Sequence, residues 1–377
     1  MRLFAKRNRP HVPDVQTCTT ADRGIIPPLH LSDHPQEIRL YRALRDQVPV
    51  IDAAIMKLIR LLGEFTIECA DPGAQKMMDR FVSGISVGGT GTGLHTFICS
   101  YFDQLLTCGR AVGEIVTYED GSIAALYNAP DDAVTLRMGD SPVDVRIYPN
   151  SLCEKEIEHP ELICLTLLNP LPGTLRGTSI LSGLPFVSEL LMKIFRCVGQ
   201  NFERAGNVRY AVTYHPPAGS GAVGARQRVK KIAQEWSRAM RDKGRVCDFV
   251  SVGDVNIRAI GADSQIIDCD IPIRHVLEQI TAKLSIPPFL LGLSWSSTER
   301  MSVQQADILT SEIDYYRSLL TPVIEKIARI YLDSVRLDPT LSVEWSNISL
   351  QDETELASAR LDNARAAQIE QSTEVNG

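Results

Sequence analysis

From residue 35 onward, apolar side chains recur at three- and four-residue steps, with Ile51, Ile55, Leu58, Ile59 and Leu62 on one face. That spacing predicts an amphipathic helix, and Gly63 predicts its end. The period then changes: residues 65–69 alternate apolar and polar, which predicts a strand closed by Asp71-Pro72-Gly73. Met77, Met78, Phe81 and Val82 predict a second helix, and a further one is expected over 94–108. Residues 110–118 and 123–127 read as strand, turn and strand, and short strands fit 134–137, 143–148 and 162–168. Helices packed on a small antiparallel or mixed sheet define an α+β class.

The second half is patterned differently. Thr178 and Ser179 are expected to cap a long apolar helix over 180–202, with Pro185 in its first turns, where proline disturbs least. That helix is too apolar for a lone surface element and is expected to pack on neighbours, within the chain or from other subunits. Residues 206–262 read as a compact insertion: a strand over 208–214, a Pro/Gly/Ala loop, a basic helix over 226–243, and strands over 246–250 and 255–259. A helix over 273–284 is expected to end at Ser285-Ile286-Pro287-Pro288, because proline disfavours a helical residue before it. After a loop comes a long helix over 302–332, which Pro322 should bend or divide, then a strand over 342–346 and an acidic helix over 352–368. Residues 1–35 show no apolar period and read as an arm carrying Arg2, Lys6, Arg7 and Arg9.

With 377 residues and 44% hydrophobic content, the chain can bury a sizeable core in two or three structural units. Its net charge of −7 argues against wrapping nucleic acid by neutralising phosphates. The nine cysteines are scattered with no C-x-x-C pair, so they read as reduced, mostly buried residues of an intracellular protein. Neither a membrane-length apolar run nor a signal core is evident, and cytoplasmic synthesis is expected.

The glycines from Gly88 to Gly93 invite a phosphate-loop reading. No Gly-Lys-Ser/Thr follows, the spacing is not G-x-G-x-x-G and no clean strand of a βαβ unit precedes them, so a turn before the next helix is expected. Nor is there an H-E-x-x-H, a G-x-S-x-G or a Cys/His cluster, and the chain is read as a non-enzyme with no cofactor and no metal.

Four segments carry a resemblance to a known family. The most specific is Ile280-Thr-Ala-Lys-Leu-Ser-Ile-Pro-Pro-Phe-Leu-Leu-Gly-Leu293. Gly109-Arg-Ala-Val-Gly-Glu-Ile115, Gly177-Thr178-Ser179 and Val343-Glu-Trp-Ser346 support it. Together, over residues 36–356, they resemble the portal proteins of tailed bacteriophages. The resemblance implies an N-terminal arm (1–35), an α/β wing (36–177 and 302–350), stem helices (178–204 and 266–286), a small α/β clip (205–265), a tunnel loop (287–301) and a short crown or tail (351–377). It also implies a ring, expected to be a dodecamer, at one capsid vertex. Double-stranded DNA would pass through it during packaging and ejection, and its partners would be the major capsid protein, the terminase and a head-tail adaptor. The implied location is the virion, after assembly in host cytoplasm, with no membrane partner.

Within that layout Asp263, Asp268, Asp270 and Glu278 could line the stem and keep DNA mobile by repulsion, or simply cap helix N-termini. Ser294, Trp295, Ser296, Ser297, Thr298, Glu299 and Arg300 would face DNA. Trp295 could stack on DNA or pack between subunits. Arg226, Arg228, Lys230, Lys231 and Arg238 form either a solvated face or the dock for adaptor and terminase. Two other readings stand beside this one: a non-portal oligomeric capsid or scaffold component, and a nucleotide-binding enzyme using the Gly88 to Gly93 loop.

Overall fold

Val48 precedes a proline and sits at φ −119°, ψ 90°, outside the helical region, so the first helical stretch is two helices and not one. They are α1 (His34–Gln47) and α2 (Pro49–Leu61). The computed structural model describes residues 34–139, 141, 144–150, 155–206, 209–215, 226–234, 254–260, 269–293 and 299–348. The chain divides into two units, residues 1–188 with 276–377, and residues 189–275. The expected basic arm, the strand at 246–250 and the helix at 352–368 lie outside the described residues.

In the first unit β1 (Phe65–Cys69) leads to α3 (Pro72–Gly84), where Asp71 Oδ2 accepts the Ala74 N–H at 2.8 Å as a cap. The glycine run forms the hairpin between β2 (Ser86–Val87) and β3 (Gly91–Thr92), followed by α4 (Leu94–Cys108). Gly109 ends α4 in the left-handed conformation at φ 74°. Next come β4 (Arg110–Thr117), β5 (Ile123–Ala129), β6 (Val134–Met138), β7 (Val145–Pro149) and β8 (Ile163–Leu167). Five strands make one mixed sheet in the order β3-β2-β5-β4-β8, and β6 pairs with β7 in a separate ribbon.

Strand β4 is buried on both faces. Gly113 sits against Phe97 of α4, leaving no room for a side chain there. Opposite, Val112 joins Ala129, Val134, Ile147, Ile157 and Ile163 in the core beneath the β6–β7 ribbon. That burial takes in Arg110 and Glu114 as well as the apolar residues of β4.

The unit is closed by residues far apart in sequence. The long helix α8 (Glu299–Ser334) is followed by β11 (Leu341–Trp345), which pairs antiparallel with β1, Phe65 opposite Trp345. Arg317 of α8 is buried, 7% exposed, beneath this ribbon. Its Nε and Nη2 donate to the Leu62 carbonyl at 3.0 and 2.7 Å, and Nη2 donates to the Ser346 carbonyl at 2.8 Å. The guanidinium lies 5.2 Å from the centre of the Trp345 ring. Burial pulls its pKa below the ordinary arginine value, and Asp314 offsets only part of that shift.

Pro322 does not divide α8, contrary to one outcome read from the sequence. Its missing N–H leaves the Ser318 carbonyl without a helical donor, and Ser318 is exposed, so water can take that place.

The second unit contains most of α5 (Leu184–Gly206), β9 (Arg209–His215), a helix α6 at 226–234, β10 (Asp254–Ile260) and the first turns of α7 (Asp270–Lys283). Strands β9 and β10 pair antiparallel, Asp254 opposite His215 and Ile260 opposite Arg209.

Two further expectations need correction. α5 begins at Leu184, and Ser179 caps nothing in it. The Ser179 hydroxyl instead lies 3.0 and 2.7 Å from the Leu106 and Thr107 carbonyls at the end of α4, and accepts the Leu181 N–H at 3.0 Å. Among the described free cysteines only Cys108 and Cys164 are buried, while Cys197 is exposed.

Candidate functional site

The segment joining α7 to α8 is shaped by two successive left-handed closures. At the first, Ser285 takes φ 53° and the Ile286 N–H donates to the Thr281 carbonyl at 3.2 Å. This six-to-one bond is the helix stop usually built on glycine. Pro287, extended at φ −56°, ψ 132°, prevents any resumption, and a single tight turn spans Pro288–Leu291. At the second, Gly292 takes φ 74° and the Leu293 N–H donates to the Pro288 carbonyl at 3.0 Å. Ile280, Leu284 and Ile286 are buried and anchor the segment. The chain therefore leaves Leu293 from a fixed point and re-enters helix at Glu299.

Of the expected loop residues, Ser294, Trp295, Ser296, Ser297 and Thr298 lie outside the described residues; Glu299 and Arg300 fall on the first turn of α8. Of the expected stem acids, Asp263 and Asp268 also lie outside. Asp270 occupies the first turn of α7, where the helix dipole favours a carboxylate, and Glu278 is half-buried further along. Arg226, Arg228, Lys230 and Lys231 are all exposed on α6, and Arg238 lies outside the described residues.

The glycine loop is not arranged as an anion cradle. Its Gly88 N–H donates to the Leu126 carbonyl at 2.9 Å and its Gly93 N–H to the Ile85 carbonyl at 2.8 Å, so two of the donors a phosphate would need are already used. The His95–Cys99 pair is 3.5 Å apart, but burial pushes the Cys99 thiol up, away from thiolate formation. The Cys108 thiol is pushed up to about 12 by burial and by Asp131.

A cleft of about 450 Å³ between α1, α2, α4 and β5 is lined by charged groups, including Arg42, Arg45, Asp46, Asp52 and Asp103. Arg45 donates to Asp52 at 2.9 Å, to Thr107 at 2.8 Å and to Asp103. Its charges are largely spent on each other, which is how a helix-joining cluster behaves. Among the described residues no group of His, Cys, Asp and Glu side chains could hold a metal ion, and no helix is long and apolar enough to cross a membrane.

Sequence reasoning found the connector through its proline pair and Leu-Gly ending. It missed Arg317 and Arg45, two charged groups that each join several elements. Arg317 carried a signal, for it falls in line with Ile313, Leu320 and Ile324 on the buried stripe of α8.

No protein-family model matches the sequence, and no curated protein does. Solved structures do. Over 91% of this chain and 92% of that chain, the fold superposes with TM-score 0.62 and 15% identity on a chain from the neck of an empty gene transfer agent particle computed with C6 symmetry. The neck of the native particle, computed with C12 symmetry, gives TM-score 0.58 and 15% identity over 91% of this chain and 90% of that one. A looser likeness, TM-score 0.45 and 12% identity over 81% of this chain and 94% of that one, is to an HK97-family phage portal protein from Corynebacterium diphtheriae. The fold is thus one that also occurs in the neck of a gene transfer agent particle.

Proposed function

We propose that this chain is a portal subunit: copies of it form a ring at one vertex of a tailed-phage-type capsid, and double-stranded DNA passes through the centre. The observation that carries the reading is the near full-length fold likeness to chains from particle necks computed with C6 and C12 symmetry. The resemblance read independently from residues 280–293 supports the same conclusion. So does α5, which leaves Phe186, Leu190, Phe195 and Phe202 exposed in the isolated chain, Phe186 by 76%. Side chains of this size each gain roughly 2 kcal/mol on burial, and cyclic neighbours would supply that burial around the whole ring.

In this reading residues 287–301 form the tunnel loop, held at its start by the two closures after α7. Trp295 and Arg300 would touch DNA, and Asp263, Asp268, Asp270 and Glu278 would line an acidic stem, where repulsion keeps the polyanion centred and sliding. Replacing Trp295, Ser296 and Glu299 together with alanine should leave rings intact while packaged DNA falls to background in a nuclease-protection assay. Normal packaging by these rings would overturn the loop assignment.

The exposed cations of α6 would dock the terminase during packaging and the head-tail adaptor afterwards. Changing Arg226, Arg228, Lys230 and Lys231 to glutamate should leave ring assembly unaltered and remove adaptor or terminase from a pull-down. Undiminished capture would sink that role.

A further inference from the structure

The first two-thirds of α8 has a second, outward seam opposite its core-facing side. Met301, Ile308, Tyr315 and Pro322 recur every seven residues, all exposed, with the small residues Ser311 and Ser318 between them. Apolar residues seven apart lie along one stripe of a helix, and small residues between them leave room for another helix to approach. Ile308 is 63% exposed, and the Tyr315 ring is held in place by its hydroxyl, which donates to Asn169 Oδ1 at 2.7 Å. The flank of the seam is acidic, through Asp307, Glu312 and Asp314.

Helix α5 has the complementary character. Phe186 and Leu190 are exposed one turn apart, and Lys193 and Arg196 follow within the next two turns, also exposed. Lys193 is paired with Glu189 at 2.8 Å, so Arg196 is the cation that this apolar ridge brings to the acidic flank of the α8 seam.

We propose that the α8 seam of one copy receives α5 of the neighbouring copy, so that this pair of helices is a principal subunit contact. The proposal rests on the ring reading above and adds to it the two surfaces that meet.

The test is the assembled mass of the full chain, by mass photometry, for the wild type, Ile308→Glu, Asp307→Arg and the double variant Asp307→Arg/Arg196→Glu. Unchanged helical content by circular dichroism confirms that each protomer folds, as expected for exposed positions. Ile308→Glu should abolish the ring. Asp307→Arg should raise the concentration needed for assembly by about tenfold, and adding Arg196→Glu should restore it. Rings formed normally by Ile308→Glu, or a double variant no better than Asp307→Arg, would overturn the pairing while leaving the ring reading in place. A wild-type chain that forms no ring would overturn both.

Discussion

Replacing Gly177 with alanine should destabilise the first unit by about 3 kcal/mol or more, a large effect for adding one methyl group. A Cβ at Gly177 would overlap the Gly109 carbonyl, and Gly109 in turn has its own open side, at φ 74°, filled by the backbone of Gly177, Thr178 and Ser179. Both obstacles are main chain, so no rotamer change relieves them. The contact also aligns a hydrogen-bond ladder: Leu168 N–H to Gly109 O at 2.8 Å, Thr178 N–H to Leu168 O at 2.6 Å and Ile180 N–H to Leu106 O at 3.2 Å. Pushing the two segments apart would break it together with the Ser179 bonds to α4. Gly84, the last residue of α3 with nothing within 4 Å of a Cβ, is the control: Gly84→Ala should be neutral or stabilising by up to about 0.5–1 kcal/mol. Thermal unfolding of the two variants side by side checks the contrast, and equal melting temperatures would refute the close-packing argument.

Arg317→Met should destabilise by about 3–5 kcal/mol, although methionine preserves most of the side-chain stem. The substitution leaves the carbonyl of buried Leu62 without both of its donors, at a cost of roughly 1–3 kcal/mol, and takes a donor from the carbonyl of the more exposed Ser346 at the edge of a half-buried ribbon. It also removes the cation from the Trp345 ring. Arg317→Lys should recover only part of the loss, because one ammonium cannot reproduce the guanidinium fork that spans both carbonyls. Denaturant titration would show a lower midpoint with an unchanged slope. An Arg317→Met variant within about 1 kcal/mol of wild type would show that the ribbon is held by packing alone.

Much of this architecture was legible because it is governed by short-range rules. The helix at 94–108, the strands from β4 to β8 and the closing of α7 at its proline pair follow from apolar period and turn residues. The break between α1 and α2 was legible too, in Pro49, but the apolar spacing on both sides of Val48 masked it. What the sequence could not supply was distance-dependent. Ser179 is a good cap residue beside an apolar helix, yet its hydroxyl is used by α4, seventy-two residues away. Pro322 is a helix breaker unless the carbonyl it orphans faces water, and that depends on which side of α8 meets the core. The pairing of β1 with β11 joins residues near opposite ends of the described chain, and no local pattern specifies it.

The candidate site divides in the same way. Residues 280–293 announce their turns in sequence, so the anchoring of the connector could be anticipated. The α8 seam could not, since its apolar positions share one helix with a buried stripe and only the fold separates the two sides.

The central claim is a closed ring of these subunits, and electron-microscope class averages of the purified protein test it most directly. The account predicts a ring with a central hole and twelve-fold symmetry; particles that remain monomeric or dimeric across a range of salt and protein concentrations would contradict it.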